Sequence, residues 1–151
     1  MRAVVTRVSS ASVAIGGETV GEIGTGFLVL LGVGPDDTEA QAEKLADKIC
    51  GLRIFSDEAG KMNLNLEAAG GALLVVSQFT LYADCRKGRR PSFTDAGDPA
   101  WAAAMFERFV RHVDEACHGS VSSGIFGAEM EVRLCNWGPV TIWLDSTRLF
   151  S

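Results

Sequence analysis

The segment FLVLLGV, from Phe27 to Val33, is an almost uninterrupted apolar run, and a second run, ALLVVSQF, extends from Ala72 to Phe79. Apolar runs of this length are typical of strands that are covered on both faces. Two such strands predict a sheet in the interior of the molecule. The second run changes abruptly to Ser77 and Gln78, with Thr80 soon after, and this polar end requires an explanation other than packing.

Segments on either side of these runs predict the remaining strands. Residues 2–8 alternate between polar and apolar side chains, and Ala11–Ile15 and Thr19–Ile23 flank Gly16-Gly17, as expected for a hairpin with a tight turn. Shorter strands are expected at residues 53–55, 129–135 and 140–144. The last two lie on either side of Gly138-Pro139, where a proline without an N–H should interrupt the sheet.

Two amphipathic helices are expected. In the first, from Thr38 to Cys50, Thr38 and Gln41 have the spacing of a capping box. Its apolar stripe consists of Ala42, Leu45, Ile49 and Leu52. The second helix opens at Asp98-Pro99, with aspartate as the N-cap and proline in the first turn. Its apolar stripe consists of Trp101, Met105, Phe109, Val113 and Ala116.

Strands in runs, with two separated helices, favour an α+β fold. A chain of 151 residues, with 47% hydrophobic and 22% charged residues, has the composition of a globular domain and excludes a disordered or coiled-coil protein. We therefore predict a single compact domain over residues 1–151, in which mostly antiparallel sheets form a barrel-like core with two amphipathic helices.

The net charge of −5 argues against a general polyanion-binding protein, because such domains usually carry a basic face. No apolar run approaches the roughly 18 residues of a membrane span, and the N-terminal segment lacks the pattern of a secretory signal. We expect a cytoplasmic protein without a membrane partner.

The four cysteines have no metal-site spacing and are expected to be free thiols. Cys50, Cys117 and Cys135 should be small buried hydrophobes, whereas Cys85 lies in a basic setting.

Few residues in the sequence are candidates for acid–base chemistry. His112 lies on the polar side of the second helix and His118 at its C-terminal end, so structural or solvated roles are favoured for both. Without a catalytic histidine, neither a Ser-His nor a Cys-His nucleophile can be assembled. No glycine-rich phosphate loop is present, which argues against nucleoside triphosphate chemistry. No cofactor and no metal site are expected.

Three segments remain as candidates for a functional site. Ser77, Gln78 and Thr80 place three hydrogen-bonding side chains at the end of a strand, either to orient a ligand or as an ordinary strand exit. Asp84–Phe93 carries a net charge of +3, which leaves −8 for the rest of the chain. This basic segment is either a phosphate contact or a solvated loop. Gly138-Pro139 is either a bulge on an edge strand or a place where a ligand approaches the backbone.

Taken together, these segments resemble the D-aminoacyl-tRNA deacylase (D-tyrosyl-tRNA deacylase) family in its bacterial and eukaryotic form. The resemblance rests on MRAVVTRVSSASV, SQFTL, RKGRRPSF, GIFGAEMEV and NWGPVT, which occur in that order from Met1 to about Ser146. SQFTL together with a C-terminal NxGPxT is highly specific. One departure is Trp137, at a position where an acidic residue is most often expected.

The resemblance implies an enzyme that hydrolyses the ester between a D-amino acid and the 3′ end of tRNA. It also implies a homodimer with each active site near the subunit interface. A cis Gly138-Pro139 bond is expected to project its carbonyls into the partner's site, and Arg7 to hold this pair in orientation. Ser77, Gln78, Phe79 and Thr80 are expected to line the aminoacyl pocket. Phe126 and Met130 are expected to contact the adenine.

A fixed carbonyl wall would reject L-aminoacyl groups, and would admit D-residues and glycine, so some hydrolysis of glycyl-tRNA is predicted. Thr80 could be the nucleophile, but it has no base. We favour activation of water by the tRNA 2′-hydroxyl, with Thr80 or backbone N–H groups near Phe79 stabilising the oxyanion. One alternative is a non-catalytic tRNA- or protein-binding dimer. Another is a generic esterase or amidase that uses Cys85 or Thr80.

Overall fold

The structure is a computed structural model that describes residues 1–118 and 120–151. Its strands are β1 (Arg2–Ile15), β2 (Glu18–Ile23), β3 (Gly26–Gly32), β4 (Phe55–Ser56), β5 (Met62–Leu64), β6 (Ala72–Ser77), β7 (Val121–Ser123) and β8 (Glu131–Asp145). Its helices are α1 (Glu39–Cys50), a 3₁₀ helix (Phe79–Tyr82), α2 (Pro99–Ala116) and α3 (Ser146–Leu149). The predicted α+β fold is confirmed.

Strand β1 organises the sheet. It pairs antiparallel with β2, β3 and β8, and the sheet continues from β3 through β6 to β7. The β3–β6 and β6–β7 pairings are parallel, which the sequence did not indicate. Parallel neighbours need a crossover connection, and α1 and α2 lie on these two crossovers. The sheet is therefore mixed.

The sheet curls until it is nearly closed as a barrel. Strand β2 returns against β6 and β7, and Gly21 marks the closest approach. A Cβ at position 21 would lie 3.2 Å from Leu74 Cδ1 and 3.3 Å from the Ser123 carbonyl oxygen. A residue without a side chain allows the barrel to close at this point.

Two hydrophobic clusters explain the continuous apolar strands. On β3, Phe27, Val29 and Leu31 face the larger cluster, which lies between the sheet and the two long helices. Leu28 faces the opposite way, into a smaller cluster that includes Leu74 of β6. Alternate residues of one strand therefore enter different cores, and the prediction that both faces are covered is confirmed.

The predicted helix starts are confirmed. Thr38 and Gln41 form both hydrogen bonds of the capping box at α1, and the Asp98 carboxylate accepts from the N–H groups of the first turn of α2. Met105, Phe109 and Val113 are fully buried, as predicted from the α2 stripe. Trp101 is 36% exposed instead, because it lies in the first turn, at the edge of the helix–sheet contact.

The cysteine predictions are wrong in part. Cys50 and Cys117 form a disulfide that joins the C-terminal ends of α1 and α2, with 6.3 Å between their Cα atoms. The two helices pack against each other, which brings these ends together. Cys135 is exposed rather than buried, because it lies on β8, most of whose side chains face solvent.

Strand β8 is longer than predicted. It forms one strand rather than two, and it follows β1 along nearly its whole length, from the Arg2–Asp145 pair to the Ala14–Glu131 pair. The register shifts on both sides of Val8 in β1, opposite the Gly138-Pro139 segment. The Gly138-Pro139 peptide bond is cis. The expected interruption is thus a local bulge in a continuous strand.

Candidate active site

The polar end of β6 turns directly into the 3₁₀ helix. Ser77 is the last residue of the strand, and the Gln78 N–H donates to the Leu31 carbonyl at 2.7 Å, which continues the parallel pairing by one residue. The 3₁₀ helix then carries Phe79 and Thr80 away from the sheet. The first N–H groups of a helix have no partner within it. The segment therefore offers side-chain hydroxyls and backbone donors at one sheet end.

An apolar cleft of about 480 Å³ opens beside this turn. Phe79 and Phe93 form one wall, with their rings edge to face and 5.0 Å between centroids. Phe126 and the start of α2 at Pro99 contribute other walls, and Ser77 and Asp98 are polar residues of its lining. A largely apolar cleft with a few polar groups is the usual form of a small-molecule site.

Gln78 and Thr80 are hydrogen-bonded to each other. The Gln78 side-chain amide donates to the Thr80 hydroxyl oxygen, which leaves the threonine proton free to donate to a ligand. Within the described residues, neither histidine lines the cleft. His112 pairs with Asp47, with 3.0 Å between Nε2 and Oδ1, and His118 lies 3.7 Å from Glu67. Thr80 is therefore placed to donate a hydrogen bond, but no imidazole is placed to activate it.

A buried network of polar groups supports the 3₁₀ helix through its last residue, Tyr82. The Tyr82 hydroxyl donates to Asp37 Oδ2 at 3.3 Å, and the Gly34 N–H donates to the same oxygen at 2.6 Å. The other Asp37 oxygen accepts from the Met1 ammonium, which also bonds Ser146. Burial, and then the nearby Asp37 carboxylate, raises the pKa of Tyr82 well above its usual value. Tyr82 thus stays a neutral donor.

Arg2 adds a second support to the same helix. Its guanidinium donates to the Leu81 carbonyl at 2.9 Å and lies 4.3 Å from the centre of the Tyr82 ring. It also lies 3.5 Å from the Asp145 carboxylate. The two ends of the described chain thereby fix the helix that carries Thr80. The sequence contained no signal for this support, because its members are far apart in the chain.

The Gly138-Pro139 segment forms a separate cluster on β8. Asn136 brackets it, since its side chain accepts from the Val140 N–H at 3.1 Å and donates to Thr141 at 3.0 Å. Arg7 donates to the Trp137 carbonyl at 2.9 Å. Gly138 has a φ of 131°, and a Cβ there would lie 2.8 Å from an Arg7 nitrogen. Only glycine fits this conformation and this contact.

The predicted site residues therefore fall into two groups. Ser77, Phe79 and Phe126 line the cleft, and Gln78 and Thr80 lie beside it. Arg7, Gly138 and Pro139 cluster together but do not line that cleft in the described chain, and neither does Met130. Met130 instead packs against the smaller core cluster. Sequence reasoning did not assign Phe93 to the cleft, although it closes the RPSF motif.

The basic segment from Asp84 to Phe93 is a closed loop. Asp84 and Ser92 exchange backbone hydrogen bonds of 2.8 and 2.9 Å, which close the loop. The next residue, Phe93, lies in the wall of the cleft. Arg86 binds the Asp84 carboxylate through two nitrogens, at 2.8 and 2.7 Å. These hydrogen bonds lower the pKa of Asp84 to about 2. The remaining cations of the loop, Lys87, Arg89 and Arg90, are exposed.

The described residues contain no cluster of three or more His, Cys, Asp or Glu side chains suited to a metal ion. Among the described helices, none is both long and apolar enough to cross a membrane. The fold and the site define an α+β domain with an apolar cleft where a parallel strand ends.

The D-Tyr-tRNA(Tyr) deacylase family model matches residues 4–145. A D-aminoacyl-tRNA deacylase of Desulfovibrio desulfuricans is 59% identical over 99% of both chains, and one of Thermotoga petrophila is 57% identical over 99% of this chain and all of its own. The chain belongs to the D-Tyr-tRNA(Tyr) deacylase family. The resemblance found in the sequence is confirmed, as is the assignment to the deacylase enzymes.

Two solved structures have the same fold. A c-Myc DNA unwinding element binding protein superposes with a TM-score of 0.91 at 39% identity, over 96% of this chain and 98% of its own. A probable eukaryotic D-amino acid tRNA deacylase superposes with a TM-score of 0.85 at 18% identity, over 95% and 97%. The second likeness shows the fold alone.

Proposed function

We propose that this protein hydrolyses the ester bond of D-aminoacyl-tRNA and releases a free D-amino acid and tRNA. The observation that carries this proposal is the apolar cleft beside Thr80, on a chain that belongs to the deacylase family over residues 4–145. The cleft is large enough for an aromatic ring or a base, and hydrogen-bond donors lie beside it. A deacylase with this substrate would act in the cytoplasm, where aminoacyl-tRNA is used.

The enzyme acts as a homodimer in which Gly138-Pro139 enters the partner's site. Two features support this part. The segment does not line the cleft of its own chain within the described residues, so a second copy would have to bring the two together. Strand β8 also exposes Leu134, Trp137 and Trp143 by about half, which is an unusual apolar face for a free edge strand. A second β8 would cover this face.

Chirality would be read by the backbone of Gly138 and Pro139. Carbonyl oxygens held against the α-carbon leave room for a hydrogen but not for an L side chain. D-residues are then accepted whatever their side chain, and glycyl-tRNA is also hydrolysed because glycine has no side chain to clash. Arg7, which is 6% exposed and bonded to the Trp137 carbonyl, orients this wall.

The chemistry would be assisted by the substrate. The ribose 2′-hydroxyl accepts a proton from water as the water oxygen attacks the ester carbonyl. It donates its own proton to the 3′ oxygen as the C–O3′ bond breaks, so that the 2′-hydroxyl is regenerated. The Thr80 hydroxyl or the N–H groups at Phe79 and Thr80 donate to the oxyanion. No cofactor and no metal ion enter this scheme, so activity should persist in excess chelator.

The exposed cations Lys87, Arg89 and Arg90 would contact phosphates near the 3′ end of the tRNA. This is a local contact, because the rest of the chain is acidic. Such a contact positions the terminal adenosine without reading sequence. Phe126 would then contact the adenine from the cleft wall, and Met130 would support that side from the smaller core.

The test is hydrolysis of D-tyrosyl-tRNA and L-tyrosyl-tRNA measured side by side. We expect turnover of the D-substrate only, and loss of this selectivity in Gly138→Ala and Pro139→Ala but not in the exposed control Pro35→Ala. Equal hydrolysis of both enantiomers by the unaltered protein would contradict the chirality filter. Binding of tRNA without turnover would favour the non-catalytic dimer.

Thr80→Ala separates the mechanisms. Substrate assistance predicts a modest loss of rate, up to about 10²-fold, if Thr80 is one of several oxyanion donors. Complete loss of turnover with tRNA binding intact would instead assign the nucleophile to Thr80. A trapped acyl-enzyme would favour a generic esterase, and Cys85→Ala tests the other nucleophile of that hypothesis.

A further inference from the structure

Arg7 is a buried cation with unusual partners. It is 6% exposed, and within the described residues no carboxylate lies within ion-pair distance of it. Its Nε donates to the Trp137 carbonyl at 2.9 Å and its Nη1 to the Ile54 carbonyl at 2.7 Å. A buried guanidinium ordinarily needs a compensating negative group.

The Trp137 ring supplies this compensation. The Arg7 Cζ lies 4.7 Å from the centre of the Trp137 ring, a distance at which the negative face of an indole attracts a cation. Trp137 therefore holds Arg7 twice, through its carbonyl oxygen and through its ring. The contact with the ring depends on the Trp137 side chain, so a substitution of Trp137 can remove it without altering the backbone hydrogen bond.

The ring is itself anchored to the core. Phe55 lies 6.3 Å from the Trp137 ring, and Phe55 in turn stacks on Phe27, with 5.2 Å between centroids and 16° between planes. Phe27 is fully buried. A row of three aromatic rings thus runs from the main core to the Arg7 guanidinium. Trp137 is 45% exposed, so the rest of the ring is free of the core.

Arg7 in turn contacts the backbone of Gly138. The distance of 2.8 Å from an Arg7 nitrogen to the Cβ position of Gly138 means that the guanidinium packs directly on the glycine backbone. If the guanidinium tilts, the peptide that follows Trp137 loses its lateral support. The orientation of the Gly138 and Pro139 carbonyls is therefore coupled to the Trp137 ring.

We propose that Trp137 is a positioning residue whose indole ring serves as the counter-group of Arg7 and thereby fixes the Gly138-Pro139 backbone. The proposal rests on the proposed function, in which that backbone rejects L-aminoacyl groups. It makes Trp137 a determinant of enantiomer selectivity in this chain. It also predicts that any group able to bind a guanidinium can replace the ring, whether through a π face or through a negative charge.

Four variants distinguish cation binding from simple bulk. Trp137→Leu keeps an apolar side chain but removes the π face, and Trp137→Lys adds repulsion. Trp137→Tyr keeps an aromatic face, and Trp137→Glu offers a carboxylate. We expect the ratio of kcat/KM for D- over L-tyrosyl-tRNA to fall about 10- to 30-fold in the Leu variant and further in the Lys variant, the range that a partly desolvated cation–π contact implies. The Tyr and Glu variants should stay within about threefold of the parent.

A second measurement does not depend on catalysis. The Arg7 Nε–H is buried and hydrogen-bonded, so it should give a slowly exchanging NMR signal that the Trp137 ring current shifts upfield; an Arg7→Lys variant assigns it. The shift should disappear in Trp137→Leu and persist in Trp137→Tyr. Melting temperatures of all variants control for folding. Phe150→Leu is the matched control, because it removes an aromatic face from a different cation, Lys44, away from β8.

The two proposals fail in different ways. If the unaltered protein hydrolyses both enantiomers equally while the Arg7 signal responds to Trp137 as expected, the proposed chirality filter is wrong. If the unaltered protein is selective but Trp137→Leu retains its selectivity and its Arg7 shift, the role of Trp137 is wrong. A Glu variant as poor as the Leu variant would also overturn the counter-group argument.

Discussion

Asparagine in place of Asp37 should lower the free energy of unfolding by about 3–5 kcal/mol, the usual effect of removing one partner from a buried ion pair. Met1 is fully buried and Asp37 is 6% exposed, so water cannot replace the lost charge. The carboxylate also accepts from the Gly34 N–H and the Tyr82 hydroxyl. An asparagine oxygen in the place of Oδ2 can accept from both donors, but the NH2 group would then face the ammonium of Met1, which would retain only Ser146 as a partner.

Urea denaturation followed by circular dichroism measures this change, and Asp36→Asn is the control, because Asp36 is exposed and adjacent. For a domain of this size, the expected loss corresponds to a decrease of about 6–20 °C in melting temperature. Turnover at temperatures where the variant stays folded should also fall, since Tyr82 ends the helix that carries Thr80. A loss below about 1 kcal/mol relative to Asp36→Asn would refute the reasoning.

Two further predictions concern stability. Reduction of the Cys50–Cys117 disulfide to two thiols by dithiothreitol should lower the unfolding free energy by about 4 kcal/mol, because the bond closes a chain separation of 67 residues. The control is the Cys50→Ser, Cys117→Ser double variant, whose unfolding free energy should not respond to the reductant. Burial would raise the pKa of Asp145, but hydrogen bonds from Thr147 and the positive charges of Met1 and Arg2 lower it. This contribution to stability is present above the unfolded pKa near 4 and is lost as the pH falls through the lower folded value, so Asp145→Asn should flatten the acid limb of a pH titration of the melting temperature.

Local patterns in the sequence were enough to predict much of this fold. The capping box at Thr38 and the Asp98-Pro99 start depend on residues within four positions of one another, and both are formed as predicted. The apolar run from Phe27 to Leu31 predicted coverage on both faces because each face requires apolar residues. Such features are readable because their causes lie within one element.

Features that depend on distant parts of the chain were not readable. The Cys50–Cys117 bond exists because two helix ends meet, and no spacing along the chain encodes that meeting. The ion pair between Met1 and Asp37 likewise requires the start of β1 to lie beside the loop before α1. The parallel pairing of β3 with β6 follows from the crossover through α1, which periodicity within a strand does not report.

The site shows the same division. Polar residues at the end of an apolar strand predicted a ligand-binding segment, and Ser77 and Phe79 of that segment line a cleft. The motif around Arg7 and Gly138-Pro139 was recognised by its residues. The sequence could not show that the second group lies away from the cleft of its own chain. Nor could it show that the Trp137 ring faces Arg7, because that contact depends on a bulge opposite Val8.

The uneven distribution of charge in the chain bears on how a nucleic acid would bind. Three exposed cations stand on the loop that carries Phe93 into the cleft, while the rest of the chain is acidic. We therefore expect attraction to phosphate to be strongest at this loop, while the net negative charge of the rest of the chain repels a nucleic acid that comes within a Debye length of about 8–10 Å. An enzyme that must release tRNA after one hydrolysis benefits from this arrangement. The net charge of −5 thus argues against binding along a polyanion, but not against holding its end.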